Sequence, residues 1–108
     1  MNTSWSLFLD DERFPPLAEP QDWFIARTIG DAIYHIKIFG LPYRMSLDHD
    51  LGENEPSGFH FVKWLVDEDL DGTLDINVIK SFYVHSQNPV GARNMNELFE
   101  SYKLYVKE

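Results

Sequence analysis

The sequence contains no cysteine, so disulfide bonds and metal sites built on thiolates are excluded. It also has no apolar run near the roughly 20 residues that cross a bilayer. Its first residues lack the basic and apolar regions of a signal peptide. These absences favour a cytoplasmic domain that has no membrane partner.

Basic residues are scarce, with nine Lys and Arg against 18 Asp and Glu, which gives a formal net charge of -9. A field of this sign repels polyanions. The composition therefore excludes an extended groove for an RNA or DNA backbone. A small phosphate-containing ligand or a single RNA end remains compatible with it, because a few local donors are enough to bind one phosphate.

The 108 residues are enough for one domain with its own core, and we predict a single domain over residues 1–108. Short apolar runs predict four strands, at residues 5–9, 23–26, 43–47 and within 76–84. Apolar residues at helical spacing predict three helices, which begin after Thr28, after Ser57 and at Pro89. Three prolines predict a long loop over residues 13–22.

The alternation of strands and helices predicts an α/β fold with a parallel sheet covered on both faces. Right-handed crossovers restrict the arrangement of four strands, and the best fit is the order 2-1-3-4 of a three-layer, flavodoxin-like domain. The switch point of that order lies between strands 1 and 3, and ligands bind there at the carboxyl ends of the strands. The sequence therefore predicts a site where strands 1, 3 and 4 end.

Polar side chains with useful chemistry follow each of these three strands. Strand 1 is followed by Asp10, Asp11 and Arg13, strand 3 by Asp48, His49 and Asp50, and strand 4 by His85, Ser86 and Asn88, with Arg93 in the next helix. Carboxylates suit a divalent cation such as Mg²⁺ or Mn²⁺. Paired histidines suit acid–base chemistry near neutral pH. Donors at the start of a helix suit a phosphate.

These residues have candidate roles that partly overlap. The catalytic candidates are Asp48, His49 and His85, the phosphate-binding candidates are Arg13, Ser86, Asn88 and Arg93, and the metal-binding candidates are Asp10, Asp11, Asp48 and Asp50. Each also has an ordinary structural interpretation. The acidic residues are then solvated strand ends, the histidines pack or form ion pairs, the arginines are surface charges, and Asn88 is a helix N-cap.

The positions of these residues resemble those of the response-regulator receiver domain. On this resemblance, Asp10 and Asp11 correspond to the metal-binding pair, Asp48 to the phosphoacceptor and Ser86 to the hydroxyl position. A receiver has five strand–helix units and a lysine after its fifth strand. This sequence has four strands and is expected to lack the fifth unit, and a proline-rich loop replaces the first helix.

Three longer motifs resemble a narrower group, the cyclic-phosphate-processing receiver-like domains. They are Leu-Phe-Leu-Asp-Asp-Glu-Arg at 7–13, Ser-Leu-Asp-His-Asp-Leu-Gly at 46–52 and His-Ser-Gln-Asn-Pro-Val-Gly-Ala-Arg-Asn-Met at 85–95. The resemblance covers essentially the whole chain. It implies a phosphoesterase that processes a cyclic phosphate, either the 2′,3′-cyclic end of damaged RNA or a cyclic nucleotide.

A module without catalytic activity is the alternative hypothesis. Such a domain binds a phosphorylated or cyclic nucleotide ligand, or it accepts a phosphate on Asp48 as a signalling receiver does. The missing fifth unit argues against normal receiver switching, and a pure sensor does not need two histidines. Turnover of a substrate separates the two hypotheses.

Overall fold

The computed structural model describes residues 5–15 and 23–107, so the predictions for residues 1–4, 16–22 and 108 lie outside the described residues. Its elements, in chain order, are β1 (Ser6–Leu9), β2 (Trp23–Ala26), α1 (Ile29–Phe39), β3 (Arg44–Leu47), α2 (Gly58–Leu70), a short 3₁₀ helix (Ile76–Val78), β4 (Ser81–Val84) and α3 (Pro89–Lys107). The four predicted strands and three predicted helices are confirmed.

The four strands form one parallel sheet in the order β2-β1-β3-β4, which confirms the predicted order. Backbone pairing continues for one residue beyond three of the strands. Asp10 N–H donates to the Ala26 carbonyl, Asp48 N–H to the Leu9 carbonyl and His85 N–H to the Leu47 carbonyl. The polar residues that follow β1, β3 and β4 are therefore held in register at the carboxyl edge of the sheet.

One face of the sheet carries the hydrophobic core. Leu7, Leu9, Met45 and Leu47 are fully buried and pack in one cluster with apolar side chains of all three helices. The crossovers from β2 to β3 and from β3 to β4 both step along the sheet towards β4, so right-handedness places α1 and α2 on the same face. Helix α3 packs there too, against α2 and β4.

The opposite face, here called the open face, carries no helix in the described part of the chain. Its side chains form two rows across the sheet, the first of Trp23, Ser6, Arg44 and Ser81 and the second of Ile25, Phe8, Ser46 and Tyr83. This arrangement differs from the prediction that helices cover both faces. The β1–β2 connection runs in the direction that places a helix on this face, and its described residues, 10–15, contain none.

The start of α2 is packed directly against the end of β3. Gly58 N–H donates to the His49 carbonyl at 2.7 Å. A Cβ atom on Gly58 would lie 2.0 Å from the Asp48 carbonyl oxygen, so only glycine fits at this position. In the ranges that the structure covers, no helix has the length and apolar character needed to cross a bilayer.

Candidate functional site

The buried carboxylate of Asp10 lies at the centre of the site. Its Oδ1 accepts hydrogen bonds from the backbone N–H groups of Glu12 at 2.9 Å and Arg13 at 2.8 Å. Its Oδ2 accepts from Arg13 Nε at 2.9 Å and lies 3.0 Å from His85 Nε2. The chain after β1 therefore turns around Asp10 and supplies most of its hydrogen-bond donors.

These donors decide the charge of Asp10. Burial on its own raises the pKa of a carboxyl group, because the charged form loses its hydration. Hydrogen bonds from the Arg13 and Glu12 backbone and from His85, together with the charge of Arg13, outweigh that effect and lower the pKa of Asp10 below its usual range. Asp10 is therefore an ionised carboxylate at neutral pH.

Arg13 joins the ends of β1 and β3. Besides its bond to Asp10, its Nη2 lies 3.1 Å from Asp48 Oδ2, and 40% of its side chain remains exposed. Although burial lowers the pKa of Arg13, the carboxylates of Asp48 and Asp10 raise it. Arg13 therefore holds a permanent positive charge between two carboxylates and still faces solvent.

His85 is held on three sides. Its Nδ1 lies 2.7 Å from Ser46 Oγ, and its ring stacks on Phe8 with the centroids 4.5 Å apart. A neutral ring donates from Nε2 to Asp10 and accepts the Ser46 hydroxyl proton at Nδ1. We call Asp10, Arg13, Ser46, Asp48 and His85 the edge cluster.

Ser46 is the member of the edge cluster that the sequence analysis gave no role, although it is the first residue of the motif at 46–52. It lies inside β3 and is nearly buried, with 8% of its surface exposed. Side chains alternate along a strand, so residue 46 shares a face with residue 48. That alternation was the signal in the sequence that could have identified it.

His49 belongs to a different group on the side of β3 that faces the helices. Its Nδ1 lies 2.8 Å from Asp50 Oδ1 and 3.4 Å from Asn88 Nδ2. The contact with Asp50 requires a proton on Nδ1, whereas the contact with the Asn88 amide nitrogen requires a lone pair there. The Asp50 contact is the shorter one, and it therefore favours the tautomer with the proton on Nδ1. Nε2 of the neutral ring then carries a lone pair. The ring also fills the space beside Gly91, where a Cβ atom would lie 2.4 Å from His49 Cγ.

The remaining candidate residues are placed less centrally. Asn88 Oδ1 accepts from Gly91 N–H at 2.9 Å and caps α3, and Ser86 Oγ accepts from Asn88 N–H at 3.0 Å. Asp11 and Arg93 are exposed, and among the described contacts neither joins either group. The structure thus brings Asp10, Arg13, Asp48 and His85 together, and it places His49, Asp50 and Asn88 beside one another.

Three residues of the edge cluster could hold a metal ion. Asp10, Asp48 and His85 each offer one ligand atom, and the three atoms lie within 4.8 Å of one another. Two carboxylate oxygens and one imidazole nitrogen suit a divalent cation. This set contains Asp10 and Asp48 of the predicted ligands, whereas Asp50 contacts His49 instead. Because Arg13 bonds to the same two carboxylates, a cation and Arg13 compete for them.

A family model of the cyclic-phosphate processing receiver domain matches residues 5–101. The chain belongs to this family. The matched range contains all three motifs and every residue of the edge cluster. No curated protein and no solved structure matches the chain significantly.

The lowered pKa of Asp10 predicts the response of this receiver-like domain to acid. A carboxyl group whose pKa is lower in the folded state stabilises the fold above its unfolded pKa, and that contribution disappears as pH falls through the folded value. The free energy of unfolding should therefore decrease below about pH 4. Asp10→Asn should lower stability at pH 7 by about 2 kcal/mol and flatten the loss in acid.

Chemical denaturation at pH 7 and at several acidic pH values measures this effect. Asp11→Asn removes the same charge from the exposed neighbour and should leave both stability and its acid dependence close to wild type. An acid dependence in Asp10→Asn as steep as that of wild type would contradict the assignment.

The contact between His49 and Gly91 predicts that Gly91→Ala changes stability in opposite directions with and without the His49 ring. Gly91→Ala should destabilise the wild type, because three atoms of the His49 ring lie 2.4–2.8 Å from the new Cβ. In a His49→Ala background the ring is gone, and the same substitution should stabilise α3 by up to about 1 kcal/mol through helix propensity. A double-mutant cycle measured by denaturation checks this, and a change of the same sign in both backgrounds would show that His49 does not pack there.

Proposed function

We propose that the protein hydrolyses a cyclic phosphate, such as the 2′,3′-cyclic end of an RNA or a cyclic nucleotide, at the edge cluster. The observation that carries this proposal is that the partly exposed guanidinium of Arg13 and the ring of His85 are both bonded to Asp10 at the carboxyl edge. A guanidinium matches the oxygens of a phosphate, and an imidazole transfers protons near neutral pH. Membership of the family supports cyclic phosphates as the substrate class.

The proposed reaction adds water across one P–O bond of the ring and leaves a phosphate monoester. Arg13 donates to the phosphate oxygens from its exposed side. His49 Nε2 takes a proton from the attacking water, while Asp50 holds the ring through Nδ1. His85 enters this step as the imidazolium, which the Asp10 carboxylate stabilises, and it becomes neutral when it gives one proton to the departing ribose oxygen.

A divalent cation such as Mg²⁺ or Mn²⁺ fits the ligand set of Asp10, Asp48 and His85. When bound, it would stabilise the negative charge that develops on the phosphate. Arg13 provides positive charge at the same two carboxylates. The cation and Arg13 are therefore alternative sources of positive charge at these carboxylates.

A module that only binds its ligand is the second candidate. It is favoured by the contacts of His85, because both ring nitrogens have partners, Ser46 and Asp10, as in a histidine with a structural role. In this case a phosphorylated or cyclic nucleotide ligand binds to Arg13 without turnover. Transfer of a phosphate to Asp48 is the signalling version of the same hypothesis.

Kinetics of histidine variants test the proposed reaction. His49→Ala and His85→Ala should each reduce kcat by roughly 10²–10⁴-fold, and the double variant should lose less than the product, because the two groups act together. Affinity should change much less than kcat, since Arg13 still binds the phosphate. The pH profile of the wild type should be bell-shaped, with both limbs belonging to the pair.

The assay uses a panel of cyclic nucleotides and RNA ends with 2′,3′-cyclic phosphate, with and without Mg²⁺ or Mn²⁺. His60→Ala is the matched control, because His60 is exposed on α2 and contacts Ser57 rather than the site. Folded His49 and His85 variants that keep wild-type turnover would refute the roles of the two histidines. A wild type inactive on the whole panel favours the binding module.

Competition between Arg13 and a cation predicts how the melting temperature responds to metal. Millimolar Mn²⁺ or Mg²⁺ should raise the Tm of the wild type, because the dication relieves repulsion between neighbouring carboxylates. Arg13→Met should make this rise larger, and Asp48→Asn should reduce it. Arg93→Met removes the same charge from exposed α3 and serves as the control. If neither the wild type nor Arg13→Met responds, the proposed metal site is wrong.

A further inference from the structure

The open face contains a cavity of about 510 Å³ that begins at the edge cluster. Its lining includes four aromatic side chains, two guanidinium groups and the ring of His85, and these are Phe8, Phe14, Trp23, Tyr83, Arg13, Arg44 and His85. The volume lies within the range of small-molecule binding sites. Three residues, Arg13, Ser46 and His85, belong to both the cavity and the edge cluster, so the two are continuous.

The alternation of small and large residues on the open face creates this cavity. Ser46 and Ser81 lie on the floor, and the much larger Tyr83 is the register partner of Ser46 on the neighbouring strand. Tyr83 and Phe14 are 63% and 71% exposed, and neither belongs to the hydrophobic core. Core packing therefore does not account for these two aromatic side chains.

Arginine guanidinium groups lie against aromatic rings of the cavity lining. The Arg44 guanidinium lies 4.4 Å from the centre of the Trp23 ring, and Arg44 Nε donates to Ser6 Oγ at 2.9 Å. The Arg27 guanidinium lies 4.7 Å from the centre of the Phe14 ring. In a chain with a net charge of -9, this face gathers arginines beside aromatic rings. Aromatic faces with adjacent guanidinium groups are the surfaces on which nucleobases stack and form hydrogen bonds.

We propose that this cavity binds the nucleobase and ribose of a nucleoside phosphate whose phosphate lies at the edge cluster. The position of the phosphate rests on the proposed function. The edge residues and the row that contains Ser46 and Tyr83 are two residues apart along the strands, about 7 Å, a distance that one nucleotide spans. The substrate class is therefore a nucleoside cyclic phosphate rather than a cyclic phosphate without a base.

Direct binding tests the proposal without requiring turnover. The probes are a nucleoside 3′-monophosphate, which has the base, and ribose 5-phosphate, which lacks it, each titrated by calorimetry. We expect the wild type to bind the nucleoside monophosphate about tenfold more tightly, which is the size of one stacking contact. Tyr83→Ala and Phe14→Ala should each reduce that preference and leave the affinity for ribose 5-phosphate unchanged.

Tyr34→Ala is the matched control, because Tyr34 is an equally exposed tyrosine, at 70%, on α1. Both test residues are largely exposed, so their variants should fold. Equal affinity for the two probes in the wild type, no binding of either probe, or a preference that persists in both variants would overturn the proposal.

Kinetics separate this proposal from the proposed hydrolysis. Hydrolysis of cyclic phosphates with and without a base at equal kcat/KM would support the reaction and overturn the base site. A nucleoside preference that Tyr83→Ala abolishes, in a protein that turns over no cyclic phosphate, would support the base site and overturn the reaction.

Discussion

The carboxyl edge of this domain depends on the buried carboxylate of Asp10, at the end of a central strand of the sheet. β1 has a neighbour on each side, so Asp10 at its end has no access to bulk water and is fully buried. A buried charge is costly unless it is paired and hydrogen-bonded. Its partners come from the turn after β1 and from His85 after β4, so the carboxylate is satisfied only when these distant parts of the chain are in place.

Strand register explains which parts of the site were predictable from the sequence. Parallel strands end at one edge, so residues directly after three apolar runs were expected to meet, and Asp10, Asp48 and His85 do. Adjacent residues of an extended chain point to opposite sides, which separates Asp11 from Asp10. Ser46 opens the motif at 46–52 but received no role, because it lies within an apolar strand, where composition suggests burial and only the alternation reveals its face.

The packing of all described helices on one face of the sheet was harder to predict, because the alternation of strands and helices normally implies two covered faces. Here both helical crossovers run in one direction along the sheet, so right-handedness places their helices together. The described part of the β1–β2 connection contains no helix that would pack on the opposite face. The sheet therefore presents serines, arginines and aromatic rings on its other face, where a fully covered sheet would carry aliphatic residues.

The packing of the two histidines bears on the geometry of an in-line displacement, in which the attacking and leaving oxygens lie on opposite sides of phosphorus. His85 packs on Phe8 and Ser46 of the open face, whereas His49 packs beside Gly91 at the start of α3, on the face that holds the core. Asp48 lies between them at the end of β3. In the proposed reaction, with His49 as base and His85 as acid, this placement meets the in-line requirement when the phosphate lies across that strand end, next to Arg13.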